Sequence, residues 1–140
     1  MKLTRRNVLI LSSAGIAATA MGSMPAFASL TDDAIAAFTG GAELGAGAIT
    51  IDAPEIAENG NTVPIGVDAP GAVAVTLFAD GNPVPNVATF NFGPLSASRA
   101  ASTRIRLAAT QNVIAIAKME DGSFQKASAE VKVTIGGCGG

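Results

Sequence analysis

Residues 130–135, Glu-Val-Lys-Val-Thr-Ile, alternate polar and β-branched apolar side chains and are followed directly by residues 136–140, Gly-Gly-Cys-Gly-Gly. Successive side chains of a strand point to opposite faces, so this alternation is typical of a β-strand with one buried face. Similar alternation, or a run of small apolar residues, recurs at 49–52, 63–68, 73–78, 104–107 and 113–117. Short strands at this spacing predict an antiparallel all-β sandwich.

Turn-forming residues separate the predicted strands. Clusters of Gly, Pro, Asn and Asp, which favour tight turns, lie at 59–60, 69–71, 80–83 and 120–122. Pro64 lies inside one alternating run and has no N–H to donate, so it predicts an edge position or a bulge. Residues 53–60 are interpreted as a turn between two strands, with a recognition loop as the alternative.

A short helix is predicted before the strands, at residues 31–39. Thr31 suits the N-cap position, and Gly40 with the following glycine ends the helix. Ile35 and Phe38 are three residues apart and share one face of the helix. A helix this short is marginal alone, so we expect that face to dock on the sandwich.

The first residues have the order of an export signal. Lys2, Arg5 and Arg6 precede an apolar run at 8–21, and a small-residue Ala-x-Ala motif ends at Ala28. The adjacent arginines indicate the twin-arginine route to the periplasm, with cleavage after Ala28. A membrane anchor is the alternative, disfavoured because the apolar run is short and interrupted by Ser and Gly.

These features divide the chain into four parts. We predict a signal peptide at 1–28 that is removed, a helix and linker at 29–47, a sandwich domain at 48–135 and a flexible arm at 136–140. The sandwich is long enough to bury a single core without disulfides.

Composition excludes several classes of function. The chain has no histidine and one cysteine, so Ser–His or Cys–His nucleophiles and a zinc or haem site are not expected from this chain alone. We therefore expect no cofactor, no metal and no catalytic residue. Without the leader, six basic residues face eleven acidic ones, a net charge of −5, and nucleic acid is not an expected partner.

Other charged residues have an ordinary structural interpretation. The acidic ones could perform acid–base chemistry, but a helix start and a solvated loop explain them better. The arginines could bind an anion, but we expect outward-facing strand residues or a match to an acidic partner. The residues concerned are Asp32, Asp33, Asp52, Glu55 and Glu58, and Arg99, Arg104 and Arg106.

Cys138 is the strongest candidate for a functional residue. As the lone cysteine of an exported chain it must pair with another molecule, carry a substituent or be kept reduced. Gly136, Gly137, Gly139 and Gly140 surround it and predict a thin, flexible arm. The thiolate is the reactive form of cysteine, and the arm holds no basic group to generate it. The pattern favours a swinging arm whose thiol is activated by other proteins.

The sequence resembles the SoxY family, the sulfur carriers of the periplasmic Sox system. Three parts carry the resemblance: residues 131–140, residues 53–60 with the strand that follows them, and the twin-arginine leader. The resemblance implies an immunoglobulin-like β-sandwich that forms a heterodimer with SoxZ. It also implies that sulfur from thiosulfate is attached covalently to Cys138, and that the chain is a carrier and not an enzyme.

The resemblance further implies a set of client enzymes. A haem enzyme, SoxAX, would conjugate thiosulfate to the thiol, and a hydrolase, SoxB, would release sulfate. A sulfane dehydrogenase, where present, would oxidise the remaining sulfur.

Two other interpretations stay open. One is an exported sandwich module that dimerises through a Cys138 disulfide. The other is a ubiquitin-like carrier that holds sulfur on its terminal carboxylate, which the leader and the lack of a long central helix disfavour.

Overall fold

The computed structural model describes residues 27–137, with side chains from Leu30 onward. This part of the chain folds into one helix and nine strands arranged in two sheets. The elements are α1 (Phe27–Thr39), β1 (Leu44–Ala46), β2 (Thr50–Asp52), β3 (Ile56–Asn59), β4 (Val63–Asp68), β5 (Ala72–Ala79), β6 (Asn86–Asn91), β7 (Ala100–Ile105), β8 (Gln111–Met119) and β9 (Phe124–Ile135). None of the residues from 27 to 137 belongs to a helix long and apolar enough to span a membrane.

The large sheet has the order β1-β9-β8-β5-β6, with β3 also paired to β9, and the small sheet has the order β2-β4-β7. Most neighbouring strands are antiparallel, but β1 and β3 both pair with β9 in parallel. The predicted all-β sandwich with a short N-terminal helix is confirmed. The expectation of purely antiparallel pairing is wrong at these two short strands.

The main core lies between the two sheets. Strand β8 shows how the sequence builds it, because its apolar run is buried on both faces. Val113, Ala115 and Ala117 point into the cluster between the sheets. Ile114 and Ile116 point the other way, into a second cluster that α1 covers. The continuous apolar run therefore reflects a three-layer arrangement of helix, large sheet and small sheet.

The helix docks as its apolar pattern predicts. Ile35 is buried, and Phe38 packs edge-on against Phe78 and Phe124 with ring centroids 6.4 and 5.8 Å apart. This edge-to-face arrangement is favourable because the positive edge of one ring faces the negative face of the other. Gly40 follows the helix with a φ of 67°, which confirms the predicted end.

The start of the helix differs from the prediction. It begins at Phe27, so Thr31 is a buried residue inside the helix and not its N-cap. Asp32 and Asp33 consequently lie beyond the first turn, and the helix-start interpretation of these carboxylates is wrong. The predicted cleavage site after Ala28 falls within the first turn.

Three short strands were not predicted. Strand β3 occupies residues 56–59, where a turn was favoured, because Ala57 is buried and the segment pairs with the end of β9. Strand β1 lies in the predicted linker. Strand β6 is an edge strand whose side chains are partly or fully exposed, so its sequence shows little alternation.

The expectation for Pro64 is confirmed. Strand β4 is central in the small sheet, but β2 pairs only with residues 66–68 of it. Pro64 is paired with β7 alone, opposite Arg104. On the other side no strand of residues 27–137 pairs with it, which is the edge environment that tolerates a missing N–H.

Substitution of Phe38 tests the helix docking. Phe38→Ala removes both ring contacts from a half-buried position, and we expect it to lower the free energy of unfolding by about 2 kcal/mol. Urea denaturation followed by circular dichroism measures this. Leu95→Ala is the control, since Leu95 is 96% exposed. Equal effects of the two substitutions would contradict the docking contact.

Candidate functional site

The residues predicted to carry the function lie mostly outside the described part of the chain. Cys138, Gly139 and Gly140 follow its last residue, and Arg5 and Arg6 precede its first. The described residues do include Gly136 and Gly137, which come directly before Cys138. The structure therefore shows which contacts hold the chain as far as Gly137, the residue before the thiol.

Three backbone segments meet at the end of β9, and we call this meeting point the arm root. They are Gly60 after β3, Leu107 and Ala108 after β7, and Gly136-Gly137 after β9. Gly60 N–H donates to the carbonyl of Ile135 at 2.7 Å, and Leu107 N–H donates to the carbonyl of Gly60 at 2.8 Å. Gly137 N–H donates to the carbonyl of Leu107 at 2.9 Å. All three distances are those of well-formed hydrogen bonds.

Glycine is required at the arm root because the backbones approach closely. A Cβ at Gly60 would overlap the carbonyl oxygen of Leu107 and lie 2.8 Å from the nitrogen of Gly137. At Gly136 a Cβ would overlap the carbonyl oxygen of Ala108, and at Gly137 it would lie 2.8 Å from the carbonyl oxygen of Gly60. None of these three glycines has a positive φ. Their role here is therefore close approach and not an unusual backbone conformation.

The position of Gly136 and Gly137 differs from the sequence-based interpretation. Both were assigned to the flexible arm, but the structure packs them against the sandwich, and Gly137 is buried. The flexibility of residues 138–140 stays a prediction.

Buried side chains brace the loop that holds Gly137. Asn82, only 2% exposed, donates from Nδ2 to the carbonyl of Arg106 at 2.8 Å and accepts from Ala108 N–H at 3.0 Å. Gln111 donates from Nε2 both to Oδ1 of Asn82 at 3.0 Å and to the carbonyl of Ala109 at 2.9 Å. These bonds tie residues 106–109 to the interior.

Two further bonds complete the brace. Gly81 N–H donates to Oε1 of Gln111 at 2.9 Å, and Val133 N–H donates to Oγ1 of Thr110 at 2.9 Å. The loop after β7 is therefore fixed both to the 80–83 turn and to β9. The sequence of residues 80–83 predicts only a turn. Because asparagine is common in turns, nothing in the sequence distinguished Asn82 as a buried residue.

The acidic residues of the predicted loop are exposed, as expected. Asp52, Glu55 and Glu58 all have exposed side chains, and the carbonyl of Glu55 accepts from Lys132 N–H at 2.9 Å. Among residues 30–137 no group of three or more acidic or cysteine side chains is placed to hold a metal ion.

The three arginines are not brought together. Arg104 and Arg106 are exposed, as predicted for outward-facing residues. Arg99 is different, because it lies just before β7 and is largely buried. Its guanidinium donates to the carbonyl of Ala72 at 2.6 Å and forms an ion pair with Glu120 at 3.2 Å.

The carboxyl group of Asp121 has a lowered pKa, and it lies far from the arm root along β9. The hydroxyl and N–H of Ser123 donate to Oδ1 of Asp121 at 2.6 and 2.9 Å, and they lower the pKa of Asp121. Asp121 is in the turn before β9 begins, whereas the arm root follows the end of that strand. This carboxylate therefore takes no part in the site.

Comparison with known proteins identifies the family. The family model described as sulfur oxidation protein SoxY matches residues 35–138. The chain belongs to the SoxY family. The matched range begins within α1, contains the arm root and ends at Cys138.

Solved structures agree with this assignment. The sulfur carrier protein SoxY from Chlorobium limicola f thiosulfatophilum is 40% identical, with a TM-score of 0.69, over 77% of this chain and 95% of that one. A superoxide reductase (neelaredoxin) from Ignicoccus hospitalis is 18% identical, with a TM-score of 0.55, over 62% of this chain and 80% of that one. The latter likeness shows the fold alone. A sequence comparison with curated proteins finds no significant match.

Alanine at Gly60 tests the close approach at the arm root of this SoxY family member. Gly60→Ala puts a Cβ against the Leu107 carbonyl, and we expect a loss of about 1–3 kcal/mol in the free energy of unfolding. Thermal and urea denaturation measure it. Gly93→Ala is the matched control, because a Cβ there meets nothing within 4 Å and its φ is not positive. A Gly60→Ala protein as stable as the control would refute the steric requirement.

Proposed function

We propose that this chain is a periplasmic sulfur carrier whose Cys138 covalently holds sulfur intermediates derived from thiosulfate. The observation that carries the proposal is the SoxY family match, which extends through the arm root to Cys138. The 40% identical Chlorobium protein is a sulfur carrier. Cys138 is the only thiol of the chain, so any thiol-linked intermediate must reside there.

The chemistry proceeds in steps that other proteins catalyse. Oxidative conjugation joins the Cys138 thiol to thiosulfate and forms an S–S bond. It releases one proton and passes two electrons to a haem enzyme of the SoxAX type. Hydrolysis of the resulting thiosulfonate by a SoxB-type hydrolase consumes one water, leaves a persulfide on Cys138 and releases hydrogen sulfate. A sulfane dehydrogenase, where present, oxidises the remaining sulfur.

The geometry of the arm root supports presentation of the thiol at one end of the sandwich. Gly137 is hydrogen-bonded to Leu107, and a trans peptide places consecutive Cα atoms about 3.8 Å apart. Residues 138–140 span at most about 10 Å when extended. Glycines beside Cys138 make the peptide narrow, which suits entry into a client active site.

Localisation and partners follow from the same proposal. The leader with Arg5 and Arg6 directs the folded chain through the twin-arginine route, and cleavage after Ala28 leaves the mature carrier in the periplasm. A SoxZ-like sandwich subunit without its own leader forms a heterodimer with it and is exported together with it. The carrier supplies neither a catalytic residue nor a cofactor.

The intact mass of the protein isolated from cells oxidising thiosulfate tests the carrier function. We expect adducts of sulfane, sulfite or thiosulfate mass that disappear on reduction, because each is bound through a disulfide-type or persulfide bond. Cys138→Ser is the control and should show no adduct. A wild-type thiol that stays unmodified would refute the proposal, and a Cys138 disulfide dimer as the sole reducible species would favour the dimerising module.

Co-expression tests the heterodimer. The proposal predicts that a neighbouring reading frame encodes a small all-β chain without a leader. When both are produced, we expect the two to elute together in size-exclusion chromatography and the carrier to gain thermal stability, since a partner that binds the folded state stabilises it. A monomer that is equally stable with and without the neighbour would contradict this.

A further inference from the structure

We propose that Asn82 is the positioning residue of the arm, acting through the loop at Leu107 and Ala108 to hold the arm root and so to fix where Cys138 leaves the sandwich. The functional part of this inference rests on the proposed carrier function. The structural part stands on the described residues alone.

The bonds of the arm root extend to Gly137, the residue before Cys138. Gly137 is buried and its N–H is bonded to Leu107, and a buried N–H without a partner would be costly. Displacing Gly137 would break this bond and leave the Leu107 carbonyl without that donor. Gly136 and Gly137 therefore belong to the arm root, and the predicted flexible arm is confined to residues 138–140.

Side-chain hydrogen bonds hold the loop that contains Leu107. Residues 106–109 form no strand, so a sheet ladder does not fix them. Asn82 satisfies the carbonyl before Leu107 and the N–H after it, at 2.8 and 3.0 Å. One side-chain amide thus brackets the residue that binds Gly137.

The hydrogen bonds of the Asn82 side chain converge on the 106–109 loop and on Gln111. Its amide makes no bond to the sheet strands other than Gln111, which itself donates to the carbonyl of Ala109 in the same loop. The three hydrogen bonds of the Asn82 side chain lead directly, or through Gln111, to residues 106–109. Loss of this amide removes its bonds to residues 106, 108 and 111, whereas the two core clusters consist of apolar side chains.

Amide hydrogen exchange of the full mature chain, measured by NMR, tests the structural part. In wild type we expect the Gly137 N–H to exchange at least about tenfold more slowly than in an unstructured peptide, because it is buried and bonded. Asn82→Ala should accelerate it about tenfold, the factor that corresponds to loss of a buried hydrogen bond.

Asn112→Ala is the matched control. Asn112 is an asparagine beside the same turn, and its side chain donates to Oδ2 of Asp80 at 3.0 Å and not to the 106–109 loop. We expect Gly137 exchange in this variant to stay within twofold of wild type. Whether or not Asn82→Ala folds, a wild-type Gly137 N–H that exchanges as fast as an unstructured one overturns the proposal.

A second readout separates positioning from stability. With a haem conjugating enzyme and thiosulfate, Asn82→Ala should load Cys138 about tenfold more slowly than wild type, whereas alkylation of Cys138 by iodoacetamide should change less than twofold. A small reagent needs no fixed presentation, but an enzyme channel does. Equal loading of both proteins would overturn the positioning role. If no protein is loaded, wild type included, the carrier function fails while the exchange result stands.

Discussion

The backbone pairing of β9 is the constraint on which the rest of the structure depends. Its first eight residues form an antiparallel ladder with β8, its first three pair in parallel with β1, and three of its last four pair in parallel with β3. One strand of twelve residues thus joins the end of the large sheet covered by α1 to the arm root. Where its ladder with β3 ends, the bond from Gly60 to Ile135 continues the same pairing, so the arm root is an extension of the sheet.

The two-sided burial of the large sheet explains why this strand can be so well anchored. Phe124, the first residue of β9, packs in the cluster under α1, and Val131 packs between the sheets. A strand with apolar residues committed to both faces cannot slip by one residue without moving each of them to the wrong side. The register of β9 therefore also fixes the position along the sheet at which Gly136 and Gly137 follow the strand.

Much of the fold could be predicted from the sequence, because alternation in strands and spacing in helices are local patterns. The central strands, the helix face with Ile35 and Phe38, and the edge character of Pro64 were all accessible in this way. Strands β1 and β3 were not, because each is three or four residues long and forms only through parallel pairing with a distant strand. The helix start was missed because Thr31 suits both an N-cap and a buried position that makes a hydrogen bond.

The candidate site shows a different limit. A sequence identifies Gly136 and Gly137 as glycines, and glycine next to a chain end ordinarily indicates freedom of movement. Here the same absence of a Cβ permits the opposite, a close backbone contact with Gly60 and Ala108. Whether a glycine gives free movement or close packing depends on which atoms lie next to the position that a Cβ would occupy. For Gly136 those atoms belong to Ala108, in the loop after β7, about thirty residues earlier in the chain.

An arm root fixed by backbone hydrogen bonds also suits the proposed presentation of a thiol to other proteins. The end-to-end distance of a flexible Gly-rich peptide grows roughly as the square root of its length, so the volume it explores grows as about the 3/2 power. An arm of three residues therefore searches roughly half the volume of an arm of five, and the local concentration of its thiol at a docked client rises about twofold. The fixed origin is the larger gain, because three backbone bonds hold Gly137 at one defined end of the sandwich. Under the proposed carrier function, Gly136 and Gly137 are therefore the fixed base that precedes Cys138.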